Sequence, residues 1–273
     1  MSEYGHIEVE ARDGIGWLRL NRPEAMNAGT GQTWREIATA LRAWERDDAV
    51  RVVVVTGNGK AFCAGDDVKA VFIGGDPALK RTKEEVIANQ ARSLLDHAPS
   101  GDLEMLLEYE KPTIAAINGA AVGYGCDLAL MCDLRIASDR ARLGEVFVRR
   151  GLIPEAGGLL ILPRLVGWEK AHELVLTGDI VDAEEALRIG MVGRVVPHDK
   201  LIEEATALAV RIAGQAPLAQ KLAKEGFRIG VDGRFREFMD FQRQAQQLLF
   251  RTDDHKEGAR SFAEKRPAEF KGR

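Results

Sequence analysis

Ile7–Arg12 and Ile15–Leu20 alternate apolar and polar residues on either side of Asp13-Gly14, a dipeptide that accepts the positive backbone angles of a tight hairpin turn. Asn21-Arg22-Pro23 ends the second strand. Across residues 33–44, Trp34, Ile37, Ala38, Leu41 and Trp44 recur at helical spacing, and the valines at 52–55 follow as a short continuous apolar run. Such a run fits a strand buried on both faces.

The pattern then repeats. A glycine-rich loop at 57–65, a second buried strand at Thr113–Ile117, another glycine-rich loop at 118–125 and a short helix at 126–131 give strand, glycine loop and helix twice over. Between the two units, residues 74–102 are charged and contain Gly74-Gly75-Asp76-Pro77 and Pro99-Ser100-Gly101. They read as a connection around a helix at 84–96, of the kind that lines a binding cleft. After Pro197 the strand signal stops, and 199–215, 217–230, 234–250 and 253–263 all read as helices. The expectation is an α/β fold with a core at 1–198 and a helical region at 199–273, its functional groups in loops after strands.

Composition narrows the function classes. With 45% apolar and 29% charged residues among 273, the chain has the make-up of a folded domain rather than a disordered or low-complexity one. The balance of 38 Lys+Arg against 42 Asp+Glu points to neither nucleic acid nor an anionic membrane surface as a partner. Cys63, Cys126 and Cys132 lack zinc-type pairing, and the five histidines show no ligand spacing. No disulfide framework and no metal are therefore expected. With no apolar run of membrane-spanning length and no targeting signal at either end, a cytoplasmic setting is the default.

The glycine loops carry the candidate chemistry. Neither is a dinucleotide fingerprint, because Phe62 and Leu128 stand where the third glycine is required, and no phosphate loop of the GxxxxGK[ST] type occurs. Glycines do let backbone N–H groups approach a ligand, and a helix starting directly afterwards adds positive partial charge. Two such loops facing one point would bind an oxyanion. Taken singly, each loop reads more readily as a tight turn between buried strands.

Five stretches together say more: Leu20-Asn21-Arg22-Pro23 with Asn27-Ala28; GKAFCAGDD at 59–67; KPTIAAINGAAVGYGCDLALMCD at 111–133; Gly151-Leu152-Ile153-Pro154 with Gly157-Gly158; and Leu176-Thr177-Gly178. In this order they resemble the enoyl-CoA hydratase/isomerase (crotonase) family over nearly the whole chain. The resemblance implies a spiral of strand-strand-helix units, with C-terminal helices that pack subunits into a homotrimer or a hexamer made of two trimers. It also implies an acyl-CoA substrate whose thioester oxygen accepts the backbone N–H groups of Asp66 and Tyr124. CoA contacts would come from Ala25 and Met26, from Ala64 and Asp66 through Asp67, Val68 and Lys69, and from Phe262 and Lys265 of a neighbouring subunit. CoA would be part of the substrate, with no separate cofactor.

The carboxylates depart from the family's pattern. Hydratases of the family use two glutamates, since adding water across a conjugated double bond requires activation of water and a proton source. Asp127 stands at the first position and Phe147, which lines the substrate site but transfers no proton, at the second. Glu155 follows Gly-Leu-Ile-Pro, where related isomerases carry an acid. This inventory favours double-bond isomerisation with Glu155 as acid/base, helped by Asp127, over standard hydration. Hydration by Asp127 and Glu155, acyl-CoA hydrolysis, and a non-catalytic CoA-ester or nucleic-acid-binding relative are the alternatives. Glu145, two residues before the lost glutamate, ranks below these, because strand alternation would aim it elsewhere.

Overall fold

The computed structural model describes residues 4–70, 105–154, 156–231, 235–249 and 251–273, with side chains in most of them. The expected helix at 84–96 and Glu155 lie outside these residues. The hairpin of β1 (Ile7–Arg12) and β2 (Ile15–Leu20) closes with Arg12 opposite Ile15, and Asp13 and Gly14 take φ of 52° and 79°, as the dipeptide predicts.

Strands β3 (Val52–Gly57), β5 (Thr113–Ile117), β7 (Leu134–Ser138) and β10 (Arg194–Val196) extend the hairpin in the order β1-β2-β3-β5-β7-β10. All pairings beyond the hairpin are parallel. A second, short sheet has the order β4 (Ala61–Cys63), β6 (Ala120–Val122), β8 (Arg142–Gly144) and β9 (Val181–Asp182). Each of β3, β5 and β7 is thus followed at once by a short strand of the other sheet. The chain advances as a spiral of repeated units.

Both faces of the large sheet are covered, which explains the unbroken apolar run of β3. Val52 and Val54 join Trp17, Ile114 and Ile136 beneath Leu201, Ala205 and Ala209 of one helix. Val53 and Val55 face Ile37, Leu41 and Trp44 of another. The second of these helices is α1 (Gly31–Glu45), opened by a reciprocal cap between Thr30 and Thr33. The remaining α-helices among the described residues are α2 (Met105–Glu108), α3 (Tyr124–Met131), α4 (Gly158–Val166), α5 (Trp168–Thr177), α6 (Ala183–Arg188), α7 (Leu201–Ala213), α8 (Pro217–Val231), α9 (Phe235–Leu249) and α10 (Asp253–Glu264). Residues 201, 205 and 209 belong to α7, so this helix completes the sheet's cover. No helix among the described residues is long and apolar enough to cross a membrane.

One buried cation ties the end of α1 to the large sheet. Lys111, just before β5, is 4% exposed and donates to the carbonyls of Trp44, Asp47 and Val50 at 2.5, 2.7 and 2.8 Å. The Trp44 carbonyl belongs to the last turn of α1, and those of Asp47 and Val50 to the loop that follows it. Lys111→Met removes all three bonds and leaves acceptors buried, so a urea melt should show a loss of about 2–4 kcal/mol.

Candidate active site

The two glycine loops meet, and their lack of side chains is what allows it. Gly65 has φ of +87°, and a Cβ built on it would fall 2.8 Å from the Val122 carbonyl and 3.5 Å from the Tyr124 nitrogen. Gly123 has φ of +56° and caps α3. A Cβ on Gly125 would lie 2.1 Å from the Cys63 carbonyl. Turn 64–66 therefore packs directly on turn 122–125, and the start of α3 adds its positive end there.

Ala64, Gly65, Asp66, Val68, Gly123, Tyr124, Val146, Phe147, Arg150 and Leu152 line one pocket at this junction. Five of the residues expected from sequence, Ala64, Asp66, Val68, Tyr124 and Phe147, are among them. Met26 is tied to the same region through backbone bonds, Ala64 N–H donating to the Met26 carbonyl at 3.1 Å, Gly29 N–H to Gly65 at 2.8 Å and Asp67 N–H to Gly29 at 2.8 Å, while Ala25, among the described residues, bonds only within its own turn, to Arg22 and Ala28. Asn27 supports this loop from inside. Its oxygen accepts from Arg22 N–H, and its amide donates to the carbonyls of Asn58 and Ala61.

Asp67 has a structural partner, since its carboxylate pairs with Arg22 at 3.1 Å. The Ala70 N–H and then the Arg22 guanidinium hold its carboxyl below the ordinary range. Lys69 is exposed and, like Asp67, does not line the pocket. Lys265 is exposed at the end of α10 with φ of 55° and does not line the pocket. Phe262 lies on α10, its side chain outside the described set.

Asp127, one turn into α3, is 0% exposed and sits behind the pocket rather than on its wall. Its Oδ2 accepts the Ala156 N–H at 3.2 Å. Glu145 is 1% exposed and beside it. The strand-alternation argument against Glu145 does not apply: β8 ends at Gly144, and residues 146–150 form a 3-10 turn that carries Phe147 to the pocket and leaves Glu145 inward. Cys126, buried beside both acids, has its thiol pushed up first by burial and then by Glu145 and Asp127, which leaves it an inert packing group. No group of three or more metal-ligating side chains occurs among the described residues.

A family model described as enoyl-CoA hydratase/isomerase matches residues 10–273. The chain belongs to the enoyl-CoA hydratase/isomerase family. It is 40% identical to a "Probable enoyl-CoA hydratase" of Rhizobium meliloti, over 99% of both chains. It is 37% identical to a "Crotonyl-CoA hydratase" of Syntrophomonas wolfei, over 98% of both. Among solved structures, an enoyl-CoA hydratase subunit from Geobacillus kaustophilus aligns over the full length of both chains with a TM-score of 0.87 and 39% identity. The spiral is the crotonase fold, and the protein is an enzyme of this family.

Trp34 is the site residue that sequence reading missed, being assigned only to the core face of a helix. Its indole N–H donates to Asp66 Oδ1 at 2.9 Å. Its ring lies tilted by 55° against that of Tyr124, the centroids 4.7 Å apart, and a Cβ on Gly29 would fall 1.9 Å from it. One side chain from α1 thus touches both loop residues whose backbones border the pocket. Trp34→Phe keeps the ring and removes the donor; it should cost about 1 kcal/mol in a urea melt and lower kcat on an enoyl-CoA by roughly tenfold at near-constant KM.

Proposed function

We propose that the protein binds an enoyl-CoA thioester and moves its double bond, with the N–H groups of Asp66 and Tyr124 stabilising the dienolate and Glu155 transferring the proton, helped by Asp127. The observation that carries this reading is Phe147. It stands at the second family glutamate and forms an apolar wall of the pocket that Asp66 and Tyr124 border. Hydration needs two proton-handling groups around one water, whereas isomerisation needs one base that takes a proton from Cα and returns it at Cγ. The backbone donors hold the negative charge that develops on the thioester oxygen between those two transfers. No cofactor beyond the CoA of the substrate enters this scheme.

Hydration is the second reading, favoured by the names of the relatives above. In it Asp127 and Glu155 together handle the water. The two readings separate on the purified enzyme offered a 3-enoyl-CoA or a 2-enoyl-CoA in water. We expect the 3-enoyl substrate to be converted faster, and Glu155→Gln to lower that rate by about a hundredfold or more. Full activity of Glu155→Gln on both substrates would remove Glu155 from the mechanism. Hydration alone, abolished by Asp127→Asn, would decide for the second reading.

Oligomerisation belongs to the same proposal. Ile153, Trp168, Leu176 and Phe227 are 68–76% exposed in the single chain, an apolar load suited to subunit contacts. Light scattering should return the mass of a trimer or of paired trimers, and a monomer would remove the role assigned to Lys265 and Phe262.

A further inference from the structure

Behind the pocket, two acidic side chains are buried against each other. Asp127 comes from α3 and Glu145 from the position just after β8, and they meet over Gly158. A Cβ there would lie 2.2 Å from Asp127 Oδ1 and 3.0 Å from Glu145 Oε1. Only a glycine leaves room for both oxygens. Neither Glu145 oxygen has a hydrogen bond of ordinary geometry among the described residues. Among the described residues, the titratable groups acting on Glu145 are Asp127 and Cys126, both from α3, with no lysine, arginine or histidine among them. The strand before it contributes Gly144, and the segment over it Gly158, neither of which titrates.

Two ionised carboxylates in so dry a place repel each other with little screening, so the pair retains a proton. Burial first, and the charge of Asp127 next, push the Glu145 carboxyl well above its ordinary range. We propose that Asp127 and Glu145 hold one proton between them, Glu145 being the neutral acid and a positioning residue that keeps Asp127 ionised. The consequence for the site is direct. Asp127 accepts the N–H of Ala156, which belongs to the peptide bond joining Glu155 to Ala156. A second negative charge at Glu145 would disturb the anchor of that peptide. The catalytic consequence rests on the thioester reading above; the shared proton does not.

The sign of the pH effect follows from the raised value. Below the ordinary glutamate range of about 4.3, Glu145 is protonated in both folded and unfolded chains and has no effect. Above it, the unfolded chain gives up the proton while the folded chain keeps it, so stability falls as pH rises towards the folded value. Glu145→Gln, neutral throughout, escapes this loss.

The test compares the full-length enzyme with Glu145→Gln, without substrate, by thermal melting from about pH 4 to about pH 9. The variant should melt more than about 2 °C above the parent at about pH 8 and converge with it at about pH 4. A constant offset across the range would overturn the shared proton. If the variant does not fold, infrared spectra of the parent decide instead. A protonated-carboxyl band at neutral pH that shifts in D2O and is altered in Asp127→Asn supports the pair, and its absence overturns it. The pH dependence of kcat/KM on a 3-enoyl-CoA then reads the positioning role. The parent's alkaline decline should be lost in Glu145→Gln, and an unchanged profile would overturn that role. A parent that turns over no enoyl-CoA but melts as expected would sink the thioester reading and leave the pair standing.

Discussion

The structure depends on the contact between successive turns of the spiral, made backbone against backbone. At Gly119 and Gly125 an added Cβ would fall 2.1 Å or less from the carbonyl of Lys60 or Cys63. No side chain fits in that seam, so one turn lies directly on the next and aligns their ends. The pocket is a product of this stacking. Its floor consists of the two turns whose main chains are brought together, and its walls are whatever the following segments place around them.

Polar groups inside the seam keep the turns from sliding. Asn118 donates its amide to the carbonyls of Gly59 and Ala61, and Asn27 donates to Asn58 and Ala61 from the other side. Each satisfies main-chain acceptors that close packing would otherwise strand, a cost of about 1–3 kcal/mol apiece. Trp34 adds an outer brace, with its N–H on Asp66 and its ring on Tyr124. The side chains of Asp66 and Tyr124 both meet Trp34, so one helix steadies the two turns that border the pocket.

Local signals were readable where local physics dominates. Asp13-Gly14 sets its hairpin because few residues accept positive φ in succession. The valines of β3 read correctly because both faces of a parallel sheet are covered. Helices after residue 199 fell within a few residues of their observed ends, their amphipathic spacing being intrinsic to each segment. Glu145 shows the limit. Its environment depends on β8 ending at Gly144, so that strand alternation does not govern it, and on Gly158 arriving from a later segment to cover it.

The chain's own order of residues determined the strand-and-glycine repeat, the hairpin, the helical C-terminal region and the motifs that carry the family resemblance. These follow from short-range sterics and from the periodicity of burial. Tertiary structure alone decided that Trp34 braces both Asp66 and Tyr124, and that Asp127 shares a dry compartment with Glu145. Long-range proximity of this kind depends on how the spiral closes. The protonation of a buried acid depends on solvent and neighbours, which no single segment specifies.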